Sequence, residues 1–433
     1  MSWSSGLFNA LESGEMDAVL TRMYGKESLF TQRQRYMGLL RRMEAWSGCV
    51  NGVLIAAPGR TELGGNHTDH NNGVVLAAAI HYDCLAVAAA SDSGYIRIRS
   101  EGFPEVIEVD LGDSSPRVGE EGTSAALVRG VVHGFREQGY LVDSFDACLA
   151  SDVPVGAGLS SSAAFEVCIG RILNQLFNGG VISDVELARI GRQAENVYFG
   201  KPCGFMDQLA CAVQGVLSID FSDQNAPEVR GIECDFADSG YRLVVVDTAG
   251  SHADLTPEYA AIPDEMFRAA QVLGQDAARG LTVAQVLDAA PLIRREVGDR
   301  AVLRLLHFIE ESDRAGEQAD ALASGDMKRF MRLVNASGDS SWRLLQNCVS
   351  TTNFLDQPIP LALALTERFL QGDGAWRIQG GGFAGTIQAY VPEDRLPAYR
   401  TFMEGLFGPG AVLPLMIRRP GWGCPSSRMG EAE

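Results

Sequence analysis

The first fifty residues carry an amphipathic helical pattern. Tyr36, Leu39, Leu40, Met43 and Trp46 recur near a 3.6-residue period, which predicts helix within residues 1–50. Arg33, Arg35, Arg41 and Arg42 fall between them, so the helix presents either a basic partner surface or a solvated face packed on the body. The texture then changes. Residues 74–80 and 85–88 are apolar runs of the kind found in strands buried on both faces, and residues 95–99 alternate as a half-exposed strand does. An acidic loop over 110–122 precedes a predicted helix over 125–138. A strand over 145–151 runs into a glycine- and serine-rich turn, and then a helix begins whose apolar face is Ala164, Cys168, Ile172 and Leu176. Ser183 and Glu186 predict a capping box for the next helix, which Gly200 and Pro202 end. Strands are expected over 216–221 and 242–247. Helical pattern then dominates until Trp376, where a short strand and a glycine turn return.

Length and composition narrow this. A chain of 433 residues, 46% hydrophobic and 21% charged, suits two domains of roughly 200 residues with real cores. The pattern divides it into a helical extension (1–50), a first domain (51–225) and a second (226–433). A formal charge of -19 makes nucleic acid and anionic membrane surfaces poor partners. Nine scattered cysteines with no CxxC pair argue against a disulfide framework or a structural zinc site. No secretory signal or span of roughly 18 apolar residues is visible, so the expected location is cytoplasmic.

Four segments carry candidate chemistry. Gly156, Ala157, Gly158, Leu159, Ser160, Ser161 and Ser162 lead into a helix. Glycines let the backbone approach a ligand, and a helix start aims unpaired N–H groups at an anion. The segment lacks both the lysine of a P-loop and the third glycine of a dinucleotide fingerprint, so it reads as a phosphate cradle of another type or as an ordinary capped turn. Residues 57–73 place Arg60, Asn66, His67, Thr68 and Asp69 in a polar stretch between apolar runs. Such groups suit sugar hydroxyls; a long self-capping turn, or a metal site at His67, Asp69 and His70, are the alternatives. Glu195, on its helix, and Asp207, after Gly204, are either a solvated Glu and a helix cap, or a Mg²⁺ ligand and a proton acceptor. Residues 380–386 are a glycine turn suited to close backbone approach.

Together these segments resemble the GHMP kinases, and the galactokinase family within them. Pro58-Gly59-Arg60, then His67-Thr68-Asp69 and Asn71-Asn72-Gly73, resemble the family's sugar signature; residues 154–164 resemble its ATP loop, 380–386 its third motif and 203–208 its catalytic aspartate stretch. Asn335-Ala336-Ser337 matches a further helix segment. The resemblance implies an α+β, two-domain GHMP kinase fold. Each domain would be a mixed or antiparallel sheet with helices, and the active site would lie in the cleft between them. It also implies transfer of the γ-phosphoryl of ATP to the C1 hydroxyl of galactose. Gly156–Ser162 would hold the phosphates, with Ser100 touching the nucleotide. Ser162 and Glu195 would bind Mg²⁺, Asp207 would accept the proton and Arg60 would stabilise the transition state. Asn66, His67, Thr68, Asp69, Gly204 and Tyr259 would contact the sugar, in a monomer or weak homodimer. Asn66 stands where the family usually has Glu, a departure that admits galacturonate, arabinose or N-acetylgalactosamine as substrate. A sugar- and ATP-binding sensor without turnover is the remaining alternative.

Overall fold

The computed structural model describes residues 3–48, 52–201, 203–234, 236, 239–250, 255–383 and 385–419. Pro202, Ala384, Cys49 and Cys424 lie outside them. Three helices begin the chain: α1 (Trp3–Ser13), α2 (Asp17–Tyr24) and α3 (Leu29–Ser47). They cover one face of the first sheet, where Tyr36, Leu39, Leu40 and Met43 pack on Leu54, Ala56, Leu85 and Val87. That sheet contains β1 (Val53–Gly64), β2 (Val74–Ala90), β3 (Tyr95–Ser100), β4 (Val106–Asp110), β5 (Phe145–Ser151), β6 (Val216–Asp220) and β7 (Glu228–Ile232). Helices α4 (Ser124–Glu137), α5 (Ser161–Phe177), α6 (Asp184–Gln193) and α7 (Met206–Val213) cover its other face.

Two expectations need correction here. Residues 74–80 and 85–88 belong to one strand: β2 is continuous, pairing with β6 through 74–78 and β5 through 84–90. The polar stretch from Ala57 to Gly64 is strand rather than loop, because β1 pairs with β2 from Val53 to Gly64 with irregularities only at Pro58/Arg60 and Glu62/Gly64. The ladder satisfies its backbone, and its polar side chains point into a buried network described below.

The second sheet has the order β11-β8-β10-β9, from β8 (Tyr241–Asp247), β9 (Ala375–Ile378), β10 (Thr386–Pro392) and β11 (Val412–Pro414). Helices α8 (Thr256–Val272), α9 (Val283–Glu296), α10 (Asp299–Ala323) and α11 (Met327–Ser340) lie between β8 and β9, and α12 (Pro358–Leu370) and α13 (Leu396–Phe407) pack on one face of the sheet. Leu243, Val245 and Tyr390 join the core that also contains β2 and α5, so the two lobes share continuous apolar packing. The division expected after residue 225 falls short of the first sheet, which runs on to Ile232 through the β6–β7 pairing. The capping box at α6 is half formed: Ser183 Oγ accepts from the Glu186 N–H, but Glu186 turns to Arg189 instead of reaching back. No described helix is long and apolar enough to cross a membrane, and the described cysteines are free thiols.

The N-terminal helices are locked on by charge as well as by apolar area. Arg35 donates to Asp83 Oδ1 (2.8 Å), Asp83 O (2.9 Å) and Ala150 O (2.8 Å). Asp83, fully buried, also accepts from Tyr24 (2.6 Å) and from Arg418 (2.8 Å), which arrives from the far end of the chain. The basic pattern on α3 therefore contains at least one arginine that points into the body, with a structural purpose. Asp83→Asn leaves two guanidinium groups short of their shared carboxylate, so we expect a loss of about 3–5 kcal/mol. Urea unfolding of the variant checks this; a midpoint equal to that of the wild type contradicts it.

Candidate active site

The glycine-serine loop, the expected phosphate loop, sits between β5 and α5. Ala157 and Leu159 are buried in the first-domain core and anchor it, while Ser160 takes a left-handed conformation (φ 58°, ψ 57°) just before the helix. The loop's carbonyls are taken by the protein body. Ala157 O accepts from Thr386 Oγ1 (3.2 Å), Gly158 O from Arg60 Nη1 (2.6 Å) and Gln379 Nε2 (3.0 Å), and Leu159 O from the Arg60 N–H (3.1 Å). In a trans peptide the N–H points away from its carbonyl, so the N–H groups of residues 158–160 are turned away from those donors. Gly158 and Ser160, both half-buried, and the start of α5 form a surface suited to phosphate oxygens.

Arg60 ties this loop to Asp207. It projects from β1 and is almost wholly buried; Nε donates to Asp207 Oδ1 and Nη2 to Oδ2, both at 2.8 Å. Ser160 Oγ adds a third bond to Oδ2 at 2.5 Å. Burial pushes the Asp207 carboxyl up, but Arg60, Ser160 and Lys201 outweigh it and hold the group below the usual carboxylate range. Asp207 lies in the first turn of α7, where the helix dipole also favours the anion. Three segments far apart in sequence therefore meet at one carboxylate.

A second carboxylate lies beside the first turn of α5. Ser162 Oγ donates to Glu195 Oε1 (2.8 Å) and Lys201 Nζ sits 3.3 Å from the same oxygen. Glu195 is the second residue of a π-helical turn (Ala194–Phe199), an irregularity that recurs at functional sites. Gln208 Nε2 bridges Glu195 Oε2 (2.7 Å) and Glu166 Oε2 (3.1 Å). Burial, with Glu195 nearby, drives the Glu166 carboxyl well above its usual range. The described residues hold no cluster of three or more His, Cys, Asp or Glu side chains fit for a metal. A hydroxyl and a carboxylate suit instead a hard cation that brings its remaining ligands as water and phosphate. His67, Asp69 and His70 do not make a metal site.

The sugar-signature residues divide. Asp69 lies against Gly204, where a Cβ would fall 1.8 Å from Asp69 Oδ2, so a larger residue there would displace the Asp69 carboxylate. His67 Nε2 donates to Gly381 O (2.9 Å), and burial lowers its pKa to about 4, so the ring is neutral. Tyr259 donates to Gly382 O (2.9 Å) and packs edge-on to Phe383. Asn66 and Thr68 are buried. Asn66 is fully enclosed: Nδ2 donates to Glu62 Oε1 (3.0 Å) and Gly380 O (2.9 Å), and Oδ1 accepts from Asn347 (2.9 Å). Thr68 is equally enclosed and spends its hydroxyl on Gly65 O and Val74 O. Both side chains spend their polar atoms on the protein itself. Ser100 lies apart from the phosphate loop, in a hollow of about 520 Å³ with Arg42, Trp46 and Phe103, which no residue of 156–162 lines.

Several participants are invisible in the sequence patterns. Arg377 reaches Glu62 at 2.5 Å, Glu311 accepts from the Gly65 and Asn66 N–H groups, and His307 donates to Asn66 O (2.9 Å). Asn335 and Ser337, on α11, serve the same region: Asn335 Oδ1 accepts from the Trp376 N–H (2.9 Å), and Ser337 donates to Glu311. Glu166 had a signal, since it stands one turn after Ser162 on a helix face that is otherwise apolar.

Asn66→Glu would set a carboxylate against Glu62 and the Gly380 carbonyl. We expect a less stable protein, by about 1–3 kcal/mol, with no new sugar preference. Thermal unfolding and a sugar profile check this; a stable variant with altered sugar choice contradicts it. Gly204→Ala should raise the KM for sugar while leaving the KM for ATP nearly unchanged, and equal effects on both would contradict the Asp69 contact.

Residues 126–215 match the GHMP kinases N terminal domain, and residues 48–90 the galactokinase galactose-binding signature. A galactokinase of Streptomyces coelicolor is 35% identical over 355 residues, covering 81% of this chain and 88% of that one. One from Actinobacillus pleuropneumoniae is 32% identical, over 80% and 87%. The fold is similar to Lactococcus lactis galactokinase complexed with galactose (TM-score 0.74, 24% identity, covering 88% of this chain and 97% of that one) and to Methanococcus jannaschii mevalonate kinase (0.59, 14%, covering 85% and 98%). With the phosphate loop, Arg60 and Asp207 gathered at one site, the chain belongs to the galactokinase family of the GHMP kinases.

Proposed function

We propose that the protein transfers the γ-phosphoryl group of ATP to the C1 hydroxyl of galactose. The supporting observation is the Asp207 carboxylate, held by Arg60 and Ser160 beside the start of α5 and three residues from Gly204, which touches Asp69. A hydroxyl seated against Asp207 would face phosphates cradled by residues 156–162, the alignment that phosphoryl transfer needs most.

Asp207 takes the hydroxyl proton. A carboxylate held below its usual range is a weak base, so the proton leaves as the new P–O bond forms rather than before it. Arg60 keeps Asp207 ionised and fixes its plane, and through Gly158 O it couples that plane to the phosphate loop. Asp69 and Gly204 shape the sugar side, with His67 and Tyr259 supporting them through the glycine turn. Ser162 and Glu195 offer the oxygen ligands for Mg²⁺, which when bound neutralises phosphate charge. Substrates bearing a C6 carboxylate lose their motivation, because Asn66 is enclosed.

ADP release coupled to a sugar panel tests the reading: turnover with galactose and Mg-ATP is expected, and its absence overturns the assignment. Asp207→Asn should keep ATP and galactose binding within a few-fold while kcat falls by at least about 10²-fold. Retained turnover would remove Asp207 as the proton acceptor. Arg60 lowers the Asp207 pKa, so the acid limb of kcat/KM in the wild type should lie below that of an ordinary carboxylate. Arg60→Met should move that limb to higher pH, and an unmoved limb would detach it from Asp207.

A further inference from the structure

The arginine of the site is already committed. Arg60 gives Nε and Nη2 to Asp207 and Nη1 to Gly158 O, so its guanidinium is spent on the base and the loop. The loop itself contains no lysine, the residue that in a P-loop meets the terminal phosphates. A cation from elsewhere in the chain stands beside the first turn of α5. After the π-helical turn, Gly200 takes φ 80° and the chain folds back, so that the Lys201 N–H bonds to Glu195 O (3.2 Å). Its ammonium then rests 3.3 Å from Glu195 Oε1, the oxygen that also accepts from Ser162 at the first turn of α5. The side chain is 62% exposed, so its end can move without disturbing packing.

We propose that Lys201 is a catalytic residue: its ammonium swings from Glu195 to the β- and γ-phosphate oxygens of ATP held on the α5 loop and neutralises the charge that moves toward the leaving ADP. An ammonium on a four-carbon stem suits this as a movable point charge, whereas the fixed fork of Arg60 suits the carboxylate it holds. The inference rests on the kinase reading above but is read without a sugar.

The test uses the full chain with Lys201→Met and Lys201→Arg. Calorimetric binding of ATP and AMP, without sugar, is measured alongside steady-state kinetics. Lys201→Met should weaken ATP roughly 10- to 100-fold, the range for one charged hydrogen bond, and leave AMP unchanged. It should lower kcat by a similar factor with the sugar KM within about twofold, since the lost charge acts on the transferring group. Lys201→Arg should recover part of both. Wild-type ATP affinity and kcat in Lys201→Met overturn the proposal. Equal losses for ATP, AMP and sugar together with a lower melting temperature also overturn it, making Lys201 a support for Glu195. Failure of galactose as acceptor in the wild type is a separate result, and the ATP-against-AMP comparison stands apart from it.

Discussion

One guanidinium organises the centre of this protein. Arg60 is buried, so its charge must be answered, and it is answered by Asp207 and a loop carbonyl rather than by water. The pairing sets three things at once. It lowers the pKa of a carboxylate that burial raises, it fixes the plane of that carboxylate, and it holds the glycine-serine loop to the same strand. Removing either partner strands a charge in a place that water reaches poorly. The site is therefore preorganised by a demand of stability.

The glycine turn after β9 is the second organising element. Asn66 and His67 donate to its carbonyls from the sugar side, Tyr259 from α8, and the neighbouring Gln379 and Thr386 donate to the phosphate loop. Side chains are excluded there: a Cβ on Gly381 would fall 2.6 Å from the Tyr259 ring and one on Gly382 2.3 Å from Asn347 O. Backbone carbonyls thus serve as fixed acceptors between the two lobes. Behind them lies a buried polar network of Glu62, Arg377, Glu311 and His307. Burial raises the Glu62 carboxyl even with Arg377 and Arg60 lowering it, a sign of how dry this region is.

Much of this was legible in the chain. Gly156–Ser162 stands out because glycines and serines before a helix are a local pattern, and β5 and α5 follow from simple periodicity. Arg60 and Asp207 were nameable by resemblance, but their bond spans 147 positions and no spacing announces it. The polar run from Asn66 to Asp69 marked the region correctly, yet pattern could not say which side chains turn inward. Asn66 and Thr68 turned out to be internal. Lys201 and Gln208 left no periodic trace, since their roles come from a π-helical turn and a helix start that tertiary packing brings together. Arg35 looked like surface charge because Asp83, its partner, lies 48 positions away.

The account is tested most directly by the structure of the product. A ³¹P spectrum of the protein's reaction with ATP and galactose should show a sugar phosphate whose phosphorus couples to the single anomeric proton. Phosphorus coupled instead to the two protons of a C6 methylene, or release of inorganic phosphate alone, would mean that the hydroxyl facing Asp207 is not the one described.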